Sequence, residues 1–404
     1  MKTNISLEEA RQLLMECAQP VEECSAALPD ALDRVLSRNI HANIDLPPFP
    51  KSPVDGYALR AEDIARAQIA NPVTLKVIEE VRAGYAPREK VTAQTTIKVM
   101  TGAPIPEGAN AVVRFEDVKR EGNLLELDQA VKAGHNIILA GEDVQKGERV
   151  AEQGAIINPP LLGLLAALGI KETAVFRKVK IAIFSTGDEL TEPGAELGPG
   201  KIYESNLHSL VAACARLKAE PISFGVVPDD QAAIAARLSR ALAQADLVIT
   251  TGGVSAGDYD LVPDAVREVG AEGIFHKINM KPGSPMLAAK YNDKLILALS
   301  GNPAAAFVTF DLLVVPVIKK IMGLARQLPR EMKAILAEDF LKASEQRRFL
   351  RAKIYSEREK NYVKLTGKQS NGILKSLVDC DAFVDVPAGS GPLAAGQEVS
   401  VVMI

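Results

Sequence analysis

The sequence predicts a multidomain α/β protein, in which a central parallel sheet is accompanied by smaller β domains. Three observations support this fold class. Strands and helices alternate between residues 175 and 326, short strands with alternating apolar and polar positions fill residues 72–150 and 330–404, and helical patterns open the chain. A chain of 404 residues is long enough for about two to four such domains.

The bulk composition excludes several classes of protein. Hydrophobic residues make up 47% and charged residues 24%, and the formal net charge is −4, so we expect neither nucleic-acid binding nor membrane insertion. The longest apolar run, at 160–170, is too short for a bilayer and predicts a buried helix. The N-terminus does not resemble a signal peptide. Scattered cysteines at 17, 24, 214 and 380 predict reduced thiols and a cytoplasmic protein.

The N-terminal elements are predicted from capping and turn residues. Ser6 and Glu9 form a capping box, so a helix should start there and end before Pro20, and a second short helix should follow Pro29. Four prolines make 45–59 an extended loop. The alternating runs of 72–150 predict a small β domain. Asn158 and Pro159 then suit the start of a helix at 160–170.

The middle of the chain alternates strictly between the two kinds of element. Strands are predicted at 178–185, 221–227, 246–253 and 294–301, and 275–280 is extended. Helices are predicted at 205–219, 230–245, 261–270 and about 303–323. This alternation is typical of a parallel sheet that is covered on both faces.

Short alternating strands return at 330–404 and predict a second small β domain. The expected domain limits are therefore as follows: a helical N-terminal region at 1–44 with 148–174, an inserted β domain at 45–147, a ligand-binding α/β domain at 175–326 and a C-terminal β domain at 327–404.

Polar segments follow four predicted strands of the sheet. These segments are 185–190, 228–230, 250–258 and 300–303, and they are rich in Gly, Ser, Thr and acidic residues. Since ligands bind outside the carboxyl ends of strands in open α/β sheets, the four segments should converge on one site.

Glycines in the third segment suit a bound phosphate. Gly252, Gly253 and Gly257 let the backbone approach an anion, and a helix that begins near Asp258 would add its positive dipole end. A tight strand-to-helix turn is the alternative interpretation.

Charged residues near the four segments have two interpretations. The acids are candidate ligands for Mg²⁺, which prefers a few carboxylates and phosphate oxygens; they are Asp188, Glu189, Asp229, Asp230, Asp258 and Asp260. Helix capping is the alternative, and it is strong for Asp230 and Asp258. Lys277 and Lys281 could neutralise an anion, or they could be exposed lysines at a strand edge.

Two loops outside the sheet also carry candidate residues. Asp55 lies in SPVDGYA (52–58) and Thr101 in MTGAPIPEGANAVV (100–113), although both loops could be ordinary proline turns. No Ser/His/Asp triad, P-loop or GxGxxG motif is present, and the four histidines lack the spacing of metal ligands.

Taken together, these motifs resemble the molybdopterin molybdenumtransferase family, which includes bacterial MoeA and the E-domain of gephyrin. The resemblance runs in order along nearly the whole chain, and the motifs are DGYA (55–58), TGAPIPEGANAVV (101–113), GED (141–143), STGDEL (185–190), TTGGVSAGDYD (250–260), KPG (281–283) and GNP (301–303). It implies a homodimer, a molybdopterin-binding α/β domain, and molybdopterin adenylyltransferase as a partner.

The resemblance also implies a reaction and its residues. Adenylylated molybdopterin and molybdate would be substrates, Mg²⁺ would be required, and AMP would be released. Glu189, Asp229 and Asp260 would hold the metal. The other implied catalytic residues are Asp55, Thr101, Asp143, Lys277 and Lys281, the first three reaching the site from the partner subunit. The implied substrate-binding residues are Gly252, Gly253, Ser255, Ser300, Asn302, Pro303, and, for molybdate, Arg351 and Ser370.

The chain departs from the family pattern at three places. Ile138 and Leu139 stand where arginines often precede GED, Ser284 stands where KPGKP has lysine, and Ala305 stands where GNPVS has serine. The first two changes remove positive charge near an anion site, and each could weaken anion binding by about 1–3 kcal/mol if the lost contact was desolvated. Alternatives to the transferase are therefore a tungstate-preferring or variant-pterin paralogue, a related pterin or nucleotide-pyrophosphate enzyme, and a non-catalytic scaffold.

Overall fold

A computed structural model describes residues 1–254 and 261–404, which form two compact units. The main unit consists of Met1–Ser37, Gln153–Asn158 and Thr173–Ile404, and the inserted unit consists of Arg38–Glu152 and Pro159–Glu172. The domain limits expected from sequence are finer than this division, and they stay predictions.

Short strands account for most of the regular structure. In chain order they are β1 (Lys2–Ile5), β2 (Glu23–Ala27), β3 (Ile40–His41), β4 (Gly56–Leu59), β5 (Val73–Val81), β6 (Thr95–Val99), β7 (Ala111–Arg114), β8 (Lys119–Glu121), β9 (Leu124–Leu127), β10 (Arg149–Ala151), β11 (Glu172–Phe176), β12 (Lys180–Thr186), β13 (Leu190–Thr191), β14 (Ile202–Tyr203), β15 (Glu220–Val227), β16 (Leu247–Thr251), β17 (Glu272–Ile278), β18 (Met280–Lys281), β19 (Met286–Tyr291), β20 (Lys294–Leu299), β21 (Glu331–Leu336), β22 (Arg347–Glu357), β23 (Lys360–Leu365), β24 (Ala382–Val386) and β25 (Glu398–Met403).

Most of the helices lie between the strands of the main unit. The α-helices are α1 (Leu7–Cys17), α2 (Pro159–Ala167), α3 (Asn206–Arg216), α4 (Gln231–Gln244), α5 (Val262–Glu268), α6 (Pro303–Thr309), α7 (Val315–Ile321) and α8 (Lys375–Val378). Single 3-10 turns occur at Leu28–Asp30, Ala61–Ile64 and Phe115–Asp117, and a π-helical segment, Phe310–Val314, joins α6 to α7. None of the described helices combines the length and the apolar composition needed to cross a bilayer.

The central sheet of the main unit has seven described strands in the order β1-β17-β19-β20-β16-β12-β15. Every neighbouring pair is parallel except the two pairs that β19 makes. The prediction of an all-parallel sheet is therefore wrong for one strand. β19 and β20 form a hairpin around Asn292 and Asp293, and Asn292 has a φ of 53°, which a two-residue hairpin turn favours.

Helices cover both faces of this sheet, as the sequence predicted. Along β12, Ile181 and Ile183 point into a core shared with α1, α3, α6 and α7, whereas Ala182 and Phe184 point into a second core shared with α4 and α5. All four side chains are fully buried. Burial on both faces explains why the strand is a continuous apolar run.

Helix ends in the main unit follow the capping signals closely. The Ser6 hydroxyl accepts a hydrogen bond from the Glu9 N–H at 3.1 Å, and α1 ends well before Pro20. The Asp230 carboxylate accepts one from the Ala233 N–H at 2.8 Å and starts α4. The second short helix, expected after Pro29, is only one 3-10 turn around that residue.

The C-terminal strands close into a barrel. β22, β23, β21, β25 and β24 pair in that order, and an additional β22–β24 pairing closes the ring, with β18 attached to β22. The inserted unit contains a sheet in the order β7-β4-β6-β5-β9-β8. Both regions are thus rich in short strands, as predicted.

The Asp230 cap gives a test of the capping interpretation. Replacing Asp230 with Ala removes the acceptor from the first turn of α4, so we expect the free energy of unfolding to fall by about 1 kcal/mol. Asp230→Asn keeps an acceptor and should remain close to the unchanged protein in chemical denaturation. Equal loss in both variants would contradict a capping role.

Candidate functional site

The register of the parallel strands brings their carboxyl ends to one edge of the sheet. Ser185 at the end of β12 lies opposite Thr251 of β16, and Thr251 in turn lies opposite Leu299 of β20. On the other side of β12, Thr186 lies opposite Val227 of β15. The four polar segments that follow these strands therefore meet in the main unit, as the sequence predicted.

The turn after β16 passes too close to β12 for any side chain. Gly252 has a φ of 96°, and a Cβ on it would lie 2.2 Å from the Thr186 carbonyl oxygen. Gly253 has a φ of 58°, and its Cβ would lie 3.0 Å from the Thr186 hydroxyl. The glycines thus allow two strand-end loops to touch.

The approach of this turn to a phosphate stays a prediction. The Gly252 N–H donates to the Leu299 carbonyl at 3.1 Å within the sheet edge. The helix predicted at 261–270 is confirmed as α5, which begins at Val262. Ser255, Gly257, Asp258 and Asp260 lie outside the described residues.

A cavity of about 240 Å³ lies at the meeting point of the loops. Hereafter it is called the strand-end cavity. Its lining includes six residues that the sequence singled out: Glu189, Asp229, Gly252, Gly253, Ser300 and Asn302. Pro303, the first residue of α6, lines an adjoining cleft instead.

Two carboxylates of the strand-end cavity stand on neighbouring strand ends. The Asp229 N–H donates to Asp188 Oδ1 at 3.2 Å and the Asp188 N–H donates to Asp229 Oδ2 at 3.3 Å, which fixes the two loops together. Glu189 is exposed, and its side chain folds back over Gly187. A Cβ on Gly187 would lie 2.6 Å from Glu189 Oε2. No group of three candidate metal ligands exists among the described residues, which exclude Asp260.

This donor set fits a magnesium ion. Mg²⁺ is usually held by one or two carboxylates, and waters and phosphate oxygens complete its octahedron. Glu189 and Asp229 supply two carboxylates at a cavity that is open enough to admit a phosphate group.

The adjoining cleft, of about 60 Å³, contains residues that sequence reasoning missed. Hereafter it is called the side cleft. Glu204 is only 3% exposed, and its Oε1 accepts hydrogen bonds from the Ser185 hydroxyl and from the Leu207 N–H at the start of α3. The available signal was the triplet Glu204-Ser205-Asn206, which places an acid just before the predicted helix and an amide in its first turn.

Arg351, on β22 of the barrel, is fully buried without a carboxylate partner among the described residues. Its Nε donates to the Ser376 hydroxyl at 2.8 Å, and its Nη2 donates to the carbonyls of Lys368 and Ser370 at 3.2 and 3.1 Å. Nη1 has no partner. Burial lowers the pKa of Arg351 to about 10, so the guanidinium remains charged at neutral pH.

A buried guanidinium with an unpaired N–H, such as that of Nη1, favours binding of an anion. The resemblance implied that the Arg351 guanidinium and the Ser370 hydroxyl bind molybdate together, and this stays a prediction. In the structure, Ser370 contributes its carbonyl to Arg351, and the hydroxyl on the guanidinium belongs to Ser376.

The segment that holds Arg351 also contacts the strand-end cavity. The Ala304 N–H of α6 donates to the Asn371 carbonyl at 3.0 Å, and a Cβ on Gly372 would lie 3.8 Å from Asn302 Oδ1. Residues 368–372 therefore connect the buried guanidinium to the loop that contains Asn302.

Neither predicted lysine lines the strand-end cavity. Lys277 is half-buried with a φ of 70° in β17, which lies between β1 and β19, so the strand-edge interpretation is wrong for it. Lys281 is exposed and lies in β18, opposite Arg348 of β22.

In the inserted unit, the structure brings Asp55 and Thr101 together. Asp55 Oδ1 accepts the Thr101 N–H at 2.7 Å and the Thr101 hydroxyl at 2.8 Å. Asp143 is exposed in the turn after Gly141, where its N–H donates to the Leu46 carbonyl at 2.9 Å. Ile138 pairs with Lys51, and Leu139 is exposed.

The Asp55–Thr101 contact predicts a measurable change in pKa. The backbone N–H of Thr101, and after it the hydroxyl, lower the pKa of Asp55 below its ordinary value. Thr101→Val removes only the hydroxyl, so the pKa of Asp55 should rise partway in an NMR titration, because the ionised form loses one donor. Thr101→Ser should preserve the lowered pKa. An unchanged pKa in Thr101→Val would show that the hydroxyl contributes nothing.

Comparison with known proteins covers the whole chain. Residues 5–169 match the MoeA N-terminal region (domains I and II), residues 182–320 match a probable molybdopterin binding domain, and residues 333–404 match the MoeA C-terminal region (domain IV). The molybdopterin molybdenumtransferase of Bacillus subtilis is 36% identical, and the alignment covers 100% of this chain and 95% of that protein. The protein of the same name from Staphylococcus epidermidis is 34% identical, over 100% and 96%.

Solved structures agree with these matches. The molybdopterin biosynthesis MoeA protein of Pyrococcus horikoshii superposes with a TM-score of 0.88 at 32% identity, covering 99% of both chains. Another solved structure of a molybdopterin biosynthesis MoeA protein from Pyrococcus horikoshii gives a TM-score of 0.85 at 37% identity, over 99% of this chain and 100% of that chain. The sequence matches, the fold and the order of the motifs agree, and the chain belongs to the molybdopterin molybdenumtransferase family.

Proposed function

We propose that the protein takes part in molybdenum cofactor biosynthesis, where it inserts molybdate into adenylylated molybdopterin and releases AMP in a Mg²⁺-dependent reaction. The observation that carries this proposal is the strand-end cavity, because it combines a glycine turn with two carboxylates and borders the segment that holds the buried arginine. A phosphate-bearing substrate and an oxyanion need these groups close together.

The reaction requires two anionic substrates to react beside each other. The P–O bond that links the adenylate to the pterin phosphate breaks, and an oxygen atom from water or molybdate completes the phosphate of AMP. Each metal–sulfur bond replaces a metal–oxygen bond, and the thiol proton leaves on that oxygen. Molybdenum keeps its oxidation state, so no external electron donor is needed.

Glu189 and Asp229, with Asp260, would hold the magnesium ion and orient the pyrophosphate. When bound, the ion would neutralise charge on the phosphate oxygens and make the pterin phosphate a better leaving group from the AMP phosphorus. Gly252 and Gly253 keep side chains out of the space next to the phosphates. Ser255, Ser300, Asn302 and Pro303 would complete the substrate contacts.

Arg351 would bind molybdate, with Ser370 beside it. Its Nη1 offers a donor that no acceptor in the described part of the chain uses, and a tetrahedral dianion would compensate the buried positive charge. The family's extra lysine is replaced by Ser284, so Lys277, Lys281 and Arg351 supply the remaining cationic charge that we assign to this region.

The partner assignments also form part of the proposal. We propose a homodimer in which Asp55, Thr101 and Asp143 of one chain serve the site of the other. A molybdopterin adenylyltransferase would deliver the adenylylated pterin in the cytoplasm. Neither nucleic acid nor a membrane is required.

AMP release tests the proposal directly. The purified protein, supplied with adenylylated molybdopterin, molybdate and Mg²⁺, should release AMP, and chelation of the metal should stop it. Glu189→Gln and Asp229→Asn remove negative charge at the cavity, so each should lower kcat by about 100-fold or more and raise the Mg²⁺ concentration needed for half-maximal rate.

Asp230→Asn is the matched control, since it removes the charge of an adjacent carboxylate that caps a helix instead of lining the cavity. It should retain nearly full activity. Absence of AMP release by the unchanged protein would favour a scaffold or a different pyrophosphate enzyme. Faster release with tungstate than with molybdate would instead favour a tungstate-preferring paralogue.

A further inference from the structure

The side cleft joins the strand-end cavity, and the two share Thr186, Glu189 and Gly301 in their linings. Apolar residues, Leu190, Ile202 and Pro303, form part of its walls. Tyr203 also lines it, with its hydroxyl held by the Ala195 carbonyl at 3.0 Å. An apolar opening above a few fixed polar groups is typical of a site for a flat heterocycle.

Asn206 presents an unused acceptor at the side cleft. It is 6% exposed, and its Nδ2 donates to Thr251 Oγ1 at 3.0 Å and to the Gly301 carbonyl at 2.8 Å. The Thr251 hydroxyl donates to the Ser300 carbonyl at 2.9 Å. A flipped amide would place Oδ1 against the Gly301 carbonyl, so this orientation is required, and Oδ1 then has no donor within residues 1–254 and 261–404.

Glu204 presents a second unused acceptor. Its Oε1 takes both donors that the protein supplies, the Ser185 hydroxyl and the Leu207 N–H, and Oε2 accepts no hydrogen bond from any described residue. No described lysine or arginine forms an ion pair with it, although the side chain is 3% exposed. A buried carboxylate without a cation favours a ligand that offers N–H donors.

These acceptors define the edge of the ligand. The Asn206 amide donors are committed, and so are the Ser185 and Thr251 hydroxyls, whereas Asn206 Oδ1 and Glu204 Oε2 accept only. A 2-amino-4-oxo pyrimidine ring presents adjacent N–H donors at its N3 and 2-amino positions. The Thr186 hydroxyl, which also lines the cleft and has no partner among the described residues, can donate to the 4-oxo group. The adenine edge offers one amino group beside the acceptor N1, so it would supply a donor to only one of the two acceptors.

We propose that Glu204 and Asn206 recognise the 2-amino-4-oxo edge of the pterin ring, so that this edge enters the side cleft of about 60 Å³ while the strand-end cavity holds the phosphates. This inference rests on the proposed function for the identity of the substrate. It goes beyond that function because it assigns two specificity-determining residues and an orientation for the substrate.

Binding of free pteridines tests the inference without turnover. Isothermal titration of the full-length protein with 6-hydroxymethylpterin should show binding, and 2,4-dioxopteridine, in which an acceptor replaces the 2-amino group, should bind at least about tenfold more weakly. Glu204→Gln keeps the Oε1 acceptor but turns Oε2 into a donor. It should weaken pterin binding about tenfold and reduce or reverse the preference over 2,4-dioxopteridine, while AMP binding stays unchanged.

Glu192→Gln is the matched control, because Glu192 is an exposed acid in the segment between β13 and β14, lies 3.4 Å from His208 and does not line the side cleft. It should bind pterin like the unchanged protein. Equal affinity of the unchanged protein for the two pteridines, or no binding of pterin, overturns the inference even if Glu204→Gln fails to fold. An unaltered preference in folded Glu204→Gln also overturns it. Pterin discrimination without any AMP release would sink the proposed reaction and leave this assignment standing.

Discussion

The parallel pairing of β12, β16 and β20 is the constraint on which the site depends. Matched register places Ser185, Thr251 and Leu299 side by side, so the loops that follow leave the sheet at one edge. Those loops approach so closely that a Cβ on Gly252 would collide with the Thr186 carbonyl. Asn206 then ties the ends together from α3, with hydrogen bonds to Thr251 and Gly301.

A second constraint comes from charge that the fold buries without compensation. Arg351 has no described carboxylate beside it, and Glu204 has no described cation. Replacing either by an apolar residue would avoid the desolvation cost, so stability alone does not account for them. The positive charge of Arg351 and the negative charge of Glu204 instead suit a substrate that has an oxyanion at one end and an edge of N–H donors at the other.

Much of this arrangement follows from local sequence rules, and the rest depends on distant partners. Apolar runs such as KIAIFS, and caps such as Ser6 and Asp230, need only neighbouring residues, so the strands, helix starts and the meeting of the four loops were predictable. The hairpin of β19 and β20 was missed, although Asn292 and Asp293 are suitable turn residues. Barrel closure through β22 and β24 pairs residues that lie far apart in sequence.

Side-chain roles were harder to predict than backbone positions. The sequence correctly favoured a helix-capping role for Asp230, because a cap depends only on residues close to it in the chain. Glu204 and Asn206 were missed, since their importance lies in hydrogen bonds to β12, β16 and the loop after β20 that no spacing rule encodes. The Ser376 hydroxyl that holds Arg351 comes from a helix 25 residues further along the chain.

The location of bound molybdate tests the central claim, which is that the phosphate turn and the buried arginine serve one site. Crystals soaked with molybdate, AMP and Mg²⁺ would give an anomalous signal from molybdenum. We expect that signal within contact distance of Arg351, with the AMP phosphate beside Gly252 and Gly253 in the same main unit. Molybdenum found only among the barrel lysines Lys353, Lys364 and Lys375, out of contact with Arg351, would contradict the account.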